Sequence, residues 1–135
     1  MANLTNVEGI GKKYAKKITS TTGISTTGKL LEAGKTPKGR KELVKQTGIS
    51  NTLILKWINR VDLIRVKGVG EEYADLLEVA GVDSVPELAQ RNAENLHQKM
   101  RDVNAKKKLV RRPPGLATVK KWIAQSKKLP RVVKY

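Results

Sequence analysis

The chain has 135 residues, and its 28 Lys and Arg against 12 Asp and Glu give a formal net charge of +16. Such an excess points to a polyanionic partner, with nucleic acid ahead of an anionic membrane surface. Cysteine is absent, which excludes disulfides and thiol chemistry. No apolar run approaches the roughly 18 residues of a membrane span, and the N-terminal segment lacks the pattern of a signal peptide. We therefore expect an intracellular protein that has no membrane partner.

The sequence predicts an all-α fold with an aliphatic core. Phe is absent, which leaves Leu, Ile, Val and Ala to fill the interior. A chain of this length suits one compact domain or two small ones. Apolar residues recur at helical spacing, and there is no sustained alternation of apolar and polar residues that would indicate a strand.

A glycine-rich turn opens the first long helix. Gly9 and Gly11 flank Ile10, and Tyr14 and Ile18 follow Ile10 at i+4 and i+8 on one apolar helix face. Glycine accepts a positive φ and lets another backbone approach closely. We therefore expect a tight turn that leads directly into a helix.

Capping residues divide the rest of the chain into further helices. Thr36 and Pro37 give a strong helix start, as N-cap and first helical residue. Gly23 and Gly48 each follow a helix end, and Asn92 is expected to cap a longer helix. Together these signals predict a helix after Gly70 and helices over residues 3–7, 11–21, 26–33, 37–47, 51–64, 85–91, 93–105 and 116–127.

The sequence contains an internal repeat of about 60 residues. The stretch Val7–Ile18 returns almost intact as Val66–Leu77, with a Tyr-Ala pair matched in both copies. The helix that carries Trp57 has its counterpart in the helix that carries Trp122. The repeat predicts two similar helical units in tandem.

Both copies carry the pattern apolar-x-Gly-apolar-Gly-x-x-apolar-Ala, which resembles the hairpin of the helix-hairpin-helix family. Thr47–Ser50 and Pro113–Gly115 stand at the places of degenerate hairpins. The resemblance implies two tandem double helix-hairpin-helix units, residues 1–64 and 65–128, packed into one compact body, with a basic C-terminal tail over residues 129–135. The chain also resembles a family of small, uncharacterised helix-hairpin-helix proteins, in which the hairpin, the Trp helix and a Leu-Pro-Arg tail recur.

The residues of the first turn suit a phosphate group. The first backbone N–H groups of a helix have no partner inside it, and they carry the positive end of the helix dipole. A cation in the first turn of a helix opposes the helix dipole and lowers the stability of the helix. A bound anion would remove this cost. The alternative is a turn whose glycines only let two helices pack. The candidate phosphate-binding residues here are Gly9, Ile10, Gly11, Lys12, Lys13 and Lys16, and Lys17 adds a further lysine directly after them.

The second turn, formed by Gly68, Val69 and Gly70, lacks these cations. Glu71 and Glu72 follow it where the first copy has two lysines. The glutamates suit the helix dipole but repel phosphate. We therefore expect a structural or protein-contact role for the second turn, and only a weaker role in binding nucleic acid.

Basic residues elsewhere in the chain extend the candidate interface. Three of them share the predicted helix over residues 37–47, five form the densest charge run of the chain, and two lie on the last helix. The charge run is either a phosphate clamp, a solvated face or a disordered basic loop. These candidate nucleic-acid-binding residues are Lys38, Arg40, Lys41, Lys106, Lys107, Lys108, Arg111, Arg112, Lys120 and Lys121.

The aromatic residues and the single His offer little for base stacking or catalysis. Trp57 and Trp122 hold matching repeat positions and are expected in the core, and the repeated tyrosines are expected to pack as well. Only Tyr135 is expected to be free to stack on a base. His97 is alone, so no His-based metal site or catalytic triad can be built. We expect no enzyme and no catalytic residue.

No cofactor and no side-chain metal site is expected from the residues. The helix-hairpin-helix resemblance implies one exception, an alkali cation held by the carbonyl oxygens of a hairpin. By position these would be the carbonyls of Thr5, Val7 and Ile10, or those of Ile64, Val66 and Val69.

The resemblance implies binding to the DNA backbone without sequence specificity. We expect a duplex-DNA-binding protein of the chromatin or architectural kind, in the cytoplasm or nucleoid. Residues 1–65 hold 13 basic and 4 acidic residues, residues 66–98 hold 2 and 7, and residues 99–135 hold 13 and 1. One alternative is a protein–protein adaptor that uses the acidic face of residues 66–98, including self-association against the basic faces. Another alternative is association with RNA or the ribosome.

Overall fold

The structure is a computed structural model that describes residues 3–7 and 9–135. The segment expected to lack a signal peptide begins with Met1 and Ala2, which lie outside the described residues. Glu8, the second residue of the first repeat copy, also lies outside them.

The described residues form eight α-helices, one short 3-10 turn and no β-strand, which confirms the predicted all-α class. The 3-10 turn, Leu4–Asn6, takes the place of the predicted leading helix. No helix in this part of the chain has the length and apolar character needed to cross a membrane. In chain order the helices are α1 (Lys12–Thr22), α2 (Thr27–Gly34), α3 (Pro37–Thr47), α4 (Asn51–Ile64), α5 (Glu71–Val79), α6 (Val85–Ala89), α7 (Ala93–Lys107) and α8 (Leu116–Lys128).

Capping residues begin and end these helices where the sequence predicts. The Thr36 hydroxyl accepts a hydrogen bond from the Gly39 amide at 3.0 Å, and Pro37 is the first residue of α3. Gly23 and Gly48 follow α1 and α3 in the left-handed conformation, with φ of 80° and 72°. The helix boundaries therefore follow from local turn chemistry.

Contacts divide the chain into two compact units. Unit 1 comprises Met1–Asp62 together with Val132–Tyr135, and unit 2 comprises Leu63–Arg131. The division falls in the last turn of α4, and the last four residues of the chain return to unit 1.

Unit 1 packs an aliphatic core around Trp57, which is only 1% exposed. Leu30, Leu43 and Ile58 are buried in the same cluster. A Cβ atom at Gly34, the last residue of α2, would collide with the Ile58 side chain of α4. The missing side chain of Gly34 therefore lets α2 approach α4 closely.

Unit 2 has the same kind of core around Trp122, which is also 1% exposed. Leu76, Leu77, Leu88 and Met100 are fully buried in this cluster. The predicted core role of the two tryptophans is confirmed. Because their rings are covered by protein, they have no free face on which a base could stack.

Arg40 is the first correction to the predicted basic surface. It is 4% exposed, and its guanidinium donates hydrogen bonds to the carbonyl oxygens of Gly34 at 2.8 Å and Lys134 at 2.7 Å. Arg40 shares the buried face of α3 with Leu43 and Thr47, at i+3 and i+7 from it. Arg40 therefore fastens the end of the chain, and the prediction that it belongs to an exposed nucleic-acid-binding face is wrong.

Tyr135 is the second correction. Its hydroxyl donates a hydrogen bond to Asn59 Oδ1 at 2.6 Å, and the Arg40 guanidinium lies 5.9 Å from the centroid of its ring. The neighbouring Lys134 amide donates to the Lys35 carbonyl at 2.7 Å. These contacts hold the last residues against unit 1, so Tyr135 is not unattached as expected. Because the residue is 55% exposed, its ability to stack on a base stays a prediction.

Candidate nucleic-acid interface

The first glycine turn is held from inside by the core. Gly9 has a φ of 93°, a conformation that favours glycine. A Cβ atom at Gly9 would lie 3.2 Å from Trp57 Nε1. Ile10 is buried, and its amide donates to the Val7 carbonyl at 3.0 Å. The turn is therefore packed against the core at Gly9 and Ile10.

Gly11 leaves the start of α1 open. It is the N-cap residue, with φ of −78° and ψ of 177°, and it has no side chain that could cap the first amides. A Cβ atom there would meet nothing within 4 Å. The Ala15 amide makes the first helical bond, to the Gly11 carbonyl at 3.0 Å. Unpaired N–H groups at such a helix start are suited to an anion.

Four lysines surround this helix start. Lys12, Lys13, Lys16 and Lys17 are all exposed, and the first turn of α1 contains no acidic residue. Their i, i+4 spacing places them in two neighbouring rows on the outside of α1, because such residues share a face. The structure therefore brings together the exposed glycines and lysines that the sequence predicts at this site.

Tyr14 packs less completely than predicted. Its ring lies 5.2 Å from the Trp57 ring in an edge-on arrangement, and the residue is 38% exposed. Tyr14 thus covers the tryptophan that holds the first turn, while it also contributes to the outer surface of α1.

The second glycine turn has the same backbone geometry as the first. Gly68 also has a φ of 93°, and a Cβ atom there would lie 3.1 Å from Trp122 Nε1. The Val69 amide donates to the Val66 carbonyl at 3.0 Å, and Gly70 is the N-cap residue of α5. The sequence repeat therefore reproduces the structure of the turn and its contact with the tryptophan.

The surface chemistry of the second turn differs. Glu71 and Glu72 occupy the first turn of α5, where their charges suit the helix dipole. The Lys67 amide is already bound, because it donates to Gln125 Oε1 at 2.7 Å. Gly68 and Gly70 are exposed, but they present no cluster of cations comparable with that of the first turn.

The carbonyl groups named as possible cation ligands are partly engaged. Val7 and Val66 each accept an amide hydrogen bond from the residue three positions later. A carbonyl oxygen has two lone pairs, so each retains one. Among the described residues, no group of three His, Asp or Glu side chains could hold a metal ion.

Outside the charge run, the remaining basic candidates lie on different helices. Lys38 and Lys41 are exposed on α3. Lys120 and Lys121 are exposed on α8, and Lys120 Nζ lies 3.8 Å from a carboxylate oxygen of Glu94. A surface pocket of unit 2 is lined by Lys120 and by Arg91, Lys127 and Lys128. Arg91 is not a candidate on sequence grounds, because it lies in a stretch that is acidic overall.

The densest charge run forms an ordered loop. Lys106 and Lys107 end α7, and Lys108 follows in the left-handed conformation with a φ of 51°. Five basic side chains of this segment are exposed. Asn104 exchanges two hydrogen bonds with the backbone of Val110, and the Tyr73 hydroxyl donates one to the Arg112 carbonyl. Neither of these two holding residues was identified from the sequence as part of the site.

The comparison with known families gives one match. A family described as a domain of unknown function (DUF4332) matches residues 8–129. No curated protein and no solved structure matches the chain. The matched range includes both glycine turns, both tryptophans and the ordered basic loop. The chain therefore belongs to the family of the domain of unknown function DUF4332.

Proposed function

We propose that the protein binds duplex DNA through the phosphate backbone, without sequence preference, as a chromatin or architectural protein. The observation that carries this proposal is the start of α1. There, an N-cap glycine without a capping side chain is followed by four exposed lysines and no acidic residue in the first turn.

The energetics of the helix start support a bound anion. Lys12 and Lys13 occupy the first two positions of α1, where a cation opposes the helix dipole at a cost of about 0.3–1 kcal/mol each. A phosphate group reverses this sign, because its charge pairs with the helix amides and with the lysine ammonium groups. An unfavourable local interaction that is removed when a ligand binds is typical of a binding site.

The type of cation favours recognition of the backbone over recognition of bases. All four cations that follow the first glycine turn are lysines, and a lysine acts as a flexible point charge. Reading of base edges relies mainly on bidentate contacts from Arg, Asn and Gln. Lysines that neutralise phosphates release counterions, so the affinity for DNA depends on the salt concentration. The same contacts carry no information about the base sequence.

The matched turns support the architectural part of the proposal. The first glycine of each turn has a φ of 93° and lies against the tryptophan of its own unit. In each case an N-cap glycine then opens a helix. These similarities support two tandem double helix-hairpin-helix units, which is the arrangement that the sequence pattern resembles.

Fluorescence anisotropy with a random-sequence duplex over a salt series tests this function. The Lys12→Glu, Lys13→Glu double variant should bind much more weakly, and its log–log salt slope should shrink by about 1–2. The Lys29→Glu, Lys99→Glu variant changes the net charge equally at exposed sites on α2 and α7, so it serves as a matched control. Equal losses in both variants would mean that total charge, and not the first turn, determines binding.

RNA is a competing ligand because it offers the same phosphate charge. In the same assay, unlabelled duplex DNA and structured RNA of equal length compete for the protein. We expect the DNA duplex to be the better competitor. Preference for the RNA would reassign the site to RNA or ribosome association.

The acidic start of α5 favours a second candidate function, a protein contact. Glu71 and Glu72 lie in a stretch that is acidic overall, and they could bind a basic face of another copy or of a partner protein. Light scattering at low and high salt tests self-association. A mass that is independent of salt and concentration would contradict it.

A further inference from the structure

The basic loop of residues 106–112 is fixed to the interior of unit 2 at two points. The first point is Asn104, which is 8% exposed. Its Nδ2 donates to the Val110 carbonyl at 3.0 Å, and its Oδ1 accepts from the Val110 amide at 2.9 Å. The Val110 side chain is itself buried. One side chain therefore satisfies both backbone groups of a loop residue.

The second point is the hydroxyl of Tyr73, on α5. It donates to the Arg112 carbonyl at 3.1 Å. The Tyr73 ring cannot swing freely, because its centroid lies 5.3 Å from that of the buried Trp122 ring. The hydrogen bond therefore connects the far end of the loop to the core beneath the second glycine turn.

The cations of the loop are exposed to solvent. Lys106 and Lys107 lie in the last turn of α7, where the helix dipole alone explains a positive charge. The helix dipole does not explain the positive charges of Lys108, Arg111 and Arg112. These residues lie beyond the end of α7 and are exposed. Lys108 also adopts a φ of 51°, which is unfavourable for a residue with a side chain.

We propose that the loop of residues 106–112 is a second phosphate-backbone contact, and that Tyr73 and Asn104 are its positioning residues. The proposal rests on the function proposed above, and it identifies how unit 2 contributes to it. In unit 1 the cations stand on the helix after the glycine turn. In unit 2 that helix begins with glutamates, and the cations stand on a loop anchored to the same helix.

Anchoring matters because a flexible basic segment loses conformational entropy when it binds. Fixing a backbone residue costs about 1–2 kcal/mol. A loop that is already held at Val110 and Arg112 has met part of this cost during folding. Preorganisation of this kind increases affinity without adding a contact to the ligand.

The competing explanation is that the anchors only close the end of α7 and cover the core with Val110. On that view their loss lowers stability and leaves the affinity of the folded protein unchanged. Tyr73→Phe separates the two explanations, because it removes the hydroxyl and keeps the ring against Trp122. Tyr135→Phe is the matched control, since it removes a tyrosine hydroxyl that also makes one described hydrogen bond, to Asn59 in unit 1.

The test is anisotropy with random-sequence duplex, well below the unfolding temperature of each variant. We expect Tyr73→Phe to weaken binding roughly 3- to 10-fold and Tyr135→Phe to leave it unchanged. Arg111→Ala with Arg112→Ala should reduce the salt slope by about 1–2. When Tyr73→Phe is added to this arginine variant, it should have no further effect on binding. Arg111 and Arg112 are the cations at the hydrogen bond from Tyr73, and the variant lacks both of them.

The outcomes separate this inference from the proposed function. If Lys12→Glu with Lys13→Glu abolishes binding while the Tyr73 and arginine variants bind like the unaltered protein, the loop proposal is overturned and the function stands. A Tyr73→Phe effect that persists in the arginine variant would also overturn the positioning role. Failure of the unaltered protein to bind duplex would overturn both proposals.

Discussion

The indole nitrogen of Trp57 lies directly beneath Gly9, so that a Cβ atom at Gly9 would be only 3.2 Å from it. Gly9 also has a φ of 93°. The shape of the first turn thus depends on a core residue that is far away in sequence, and this relationship recurs between Gly68 and Trp122. The conformation of Gly9 is accordingly tied to the core of unit 1.

Gly9→Ala should therefore destabilise the protein. The left-handed conformation costs a residue with a Cβ atom about 1–2 kcal/mol, and the contact with Trp57 adds to this cost. Gly11→Ala is the matched control, because its φ of −78° is ordinary and its surroundings are open. Urea unfolding followed by tryptophan fluorescence compares the two. A Gly11→Ala variant that is as unstable as Gly9→Ala would contradict the assignment of strain to Gly9.

Lys12→Glu with Lys13→Glu should stabilise the protein while it weakens DNA binding. Acidic residues in the first turn of α1 complement the helix dipole, and each such exchange is worth about 0.3–1 kcal/mol at low ionic strength. Thermal unfolding at low salt measures the gain. A gain in stability together with a loss of affinity for duplex DNA would indicate that the lysine charges serve to bind a ligand. A loss of stability would mean that these lysines have a structural role.

Glu71→Lys with Glu72→Lys is the mirror experiment at the second turn. We expect lower stability, because two cations then oppose the dipole of α5. The affinity for duplex should change less than it does in the lysine variant of the first turn. If this variant gains as much affinity as the Lys12→Glu, Lys13→Glu variant loses, the second glycine turn also contacts DNA.

Arg40→Ala should cost about 2–4 kcal/mol, because two charge-assisted hydrogen bonds are lost and two carbonyl groups lose their donor. The exposed neighbour Lys38 supplies the control, since Lys38→Ala should change stability by less than about 0.5 kcal/mol. Denaturant unfolding of both variants gives the comparison. Equal and small effects would show that Arg40 does not anchor the chain end.

Local signals explain why so much of the fold could be predicted. N-caps such as Thr36 and left-handed glycines such as Gly23 act through neighbouring backbone atoms, so their positions in the sequence are enough to set the helix boundaries. The repeat similarly predicted that Trp57 and Trp122 are equivalent, and both are buried.

The errors arose where residue type was weighed without the helix face. The charge of Arg40 favours a place on the surface, but its spacing from Leu43 puts it on the buried side of α3. The hydrogen bond from Tyr73 to Arg112 spans 39 residues, and no local periodicity reports such a contact. Predicting the anchors of the basic loop therefore required the tertiary structure.

The most direct test of the central claim is an amide chemical-shift titration of the labelled protein with random-sequence duplex. We expect the largest changes at the Gly11, Lys12 and Lys13 amides, with a second set in residues 108–112. The amide of the exposed control residue Lys99 should move little. Shifts that leave the start of α1 unchanged while the duplex binds elsewhere would contradict the account.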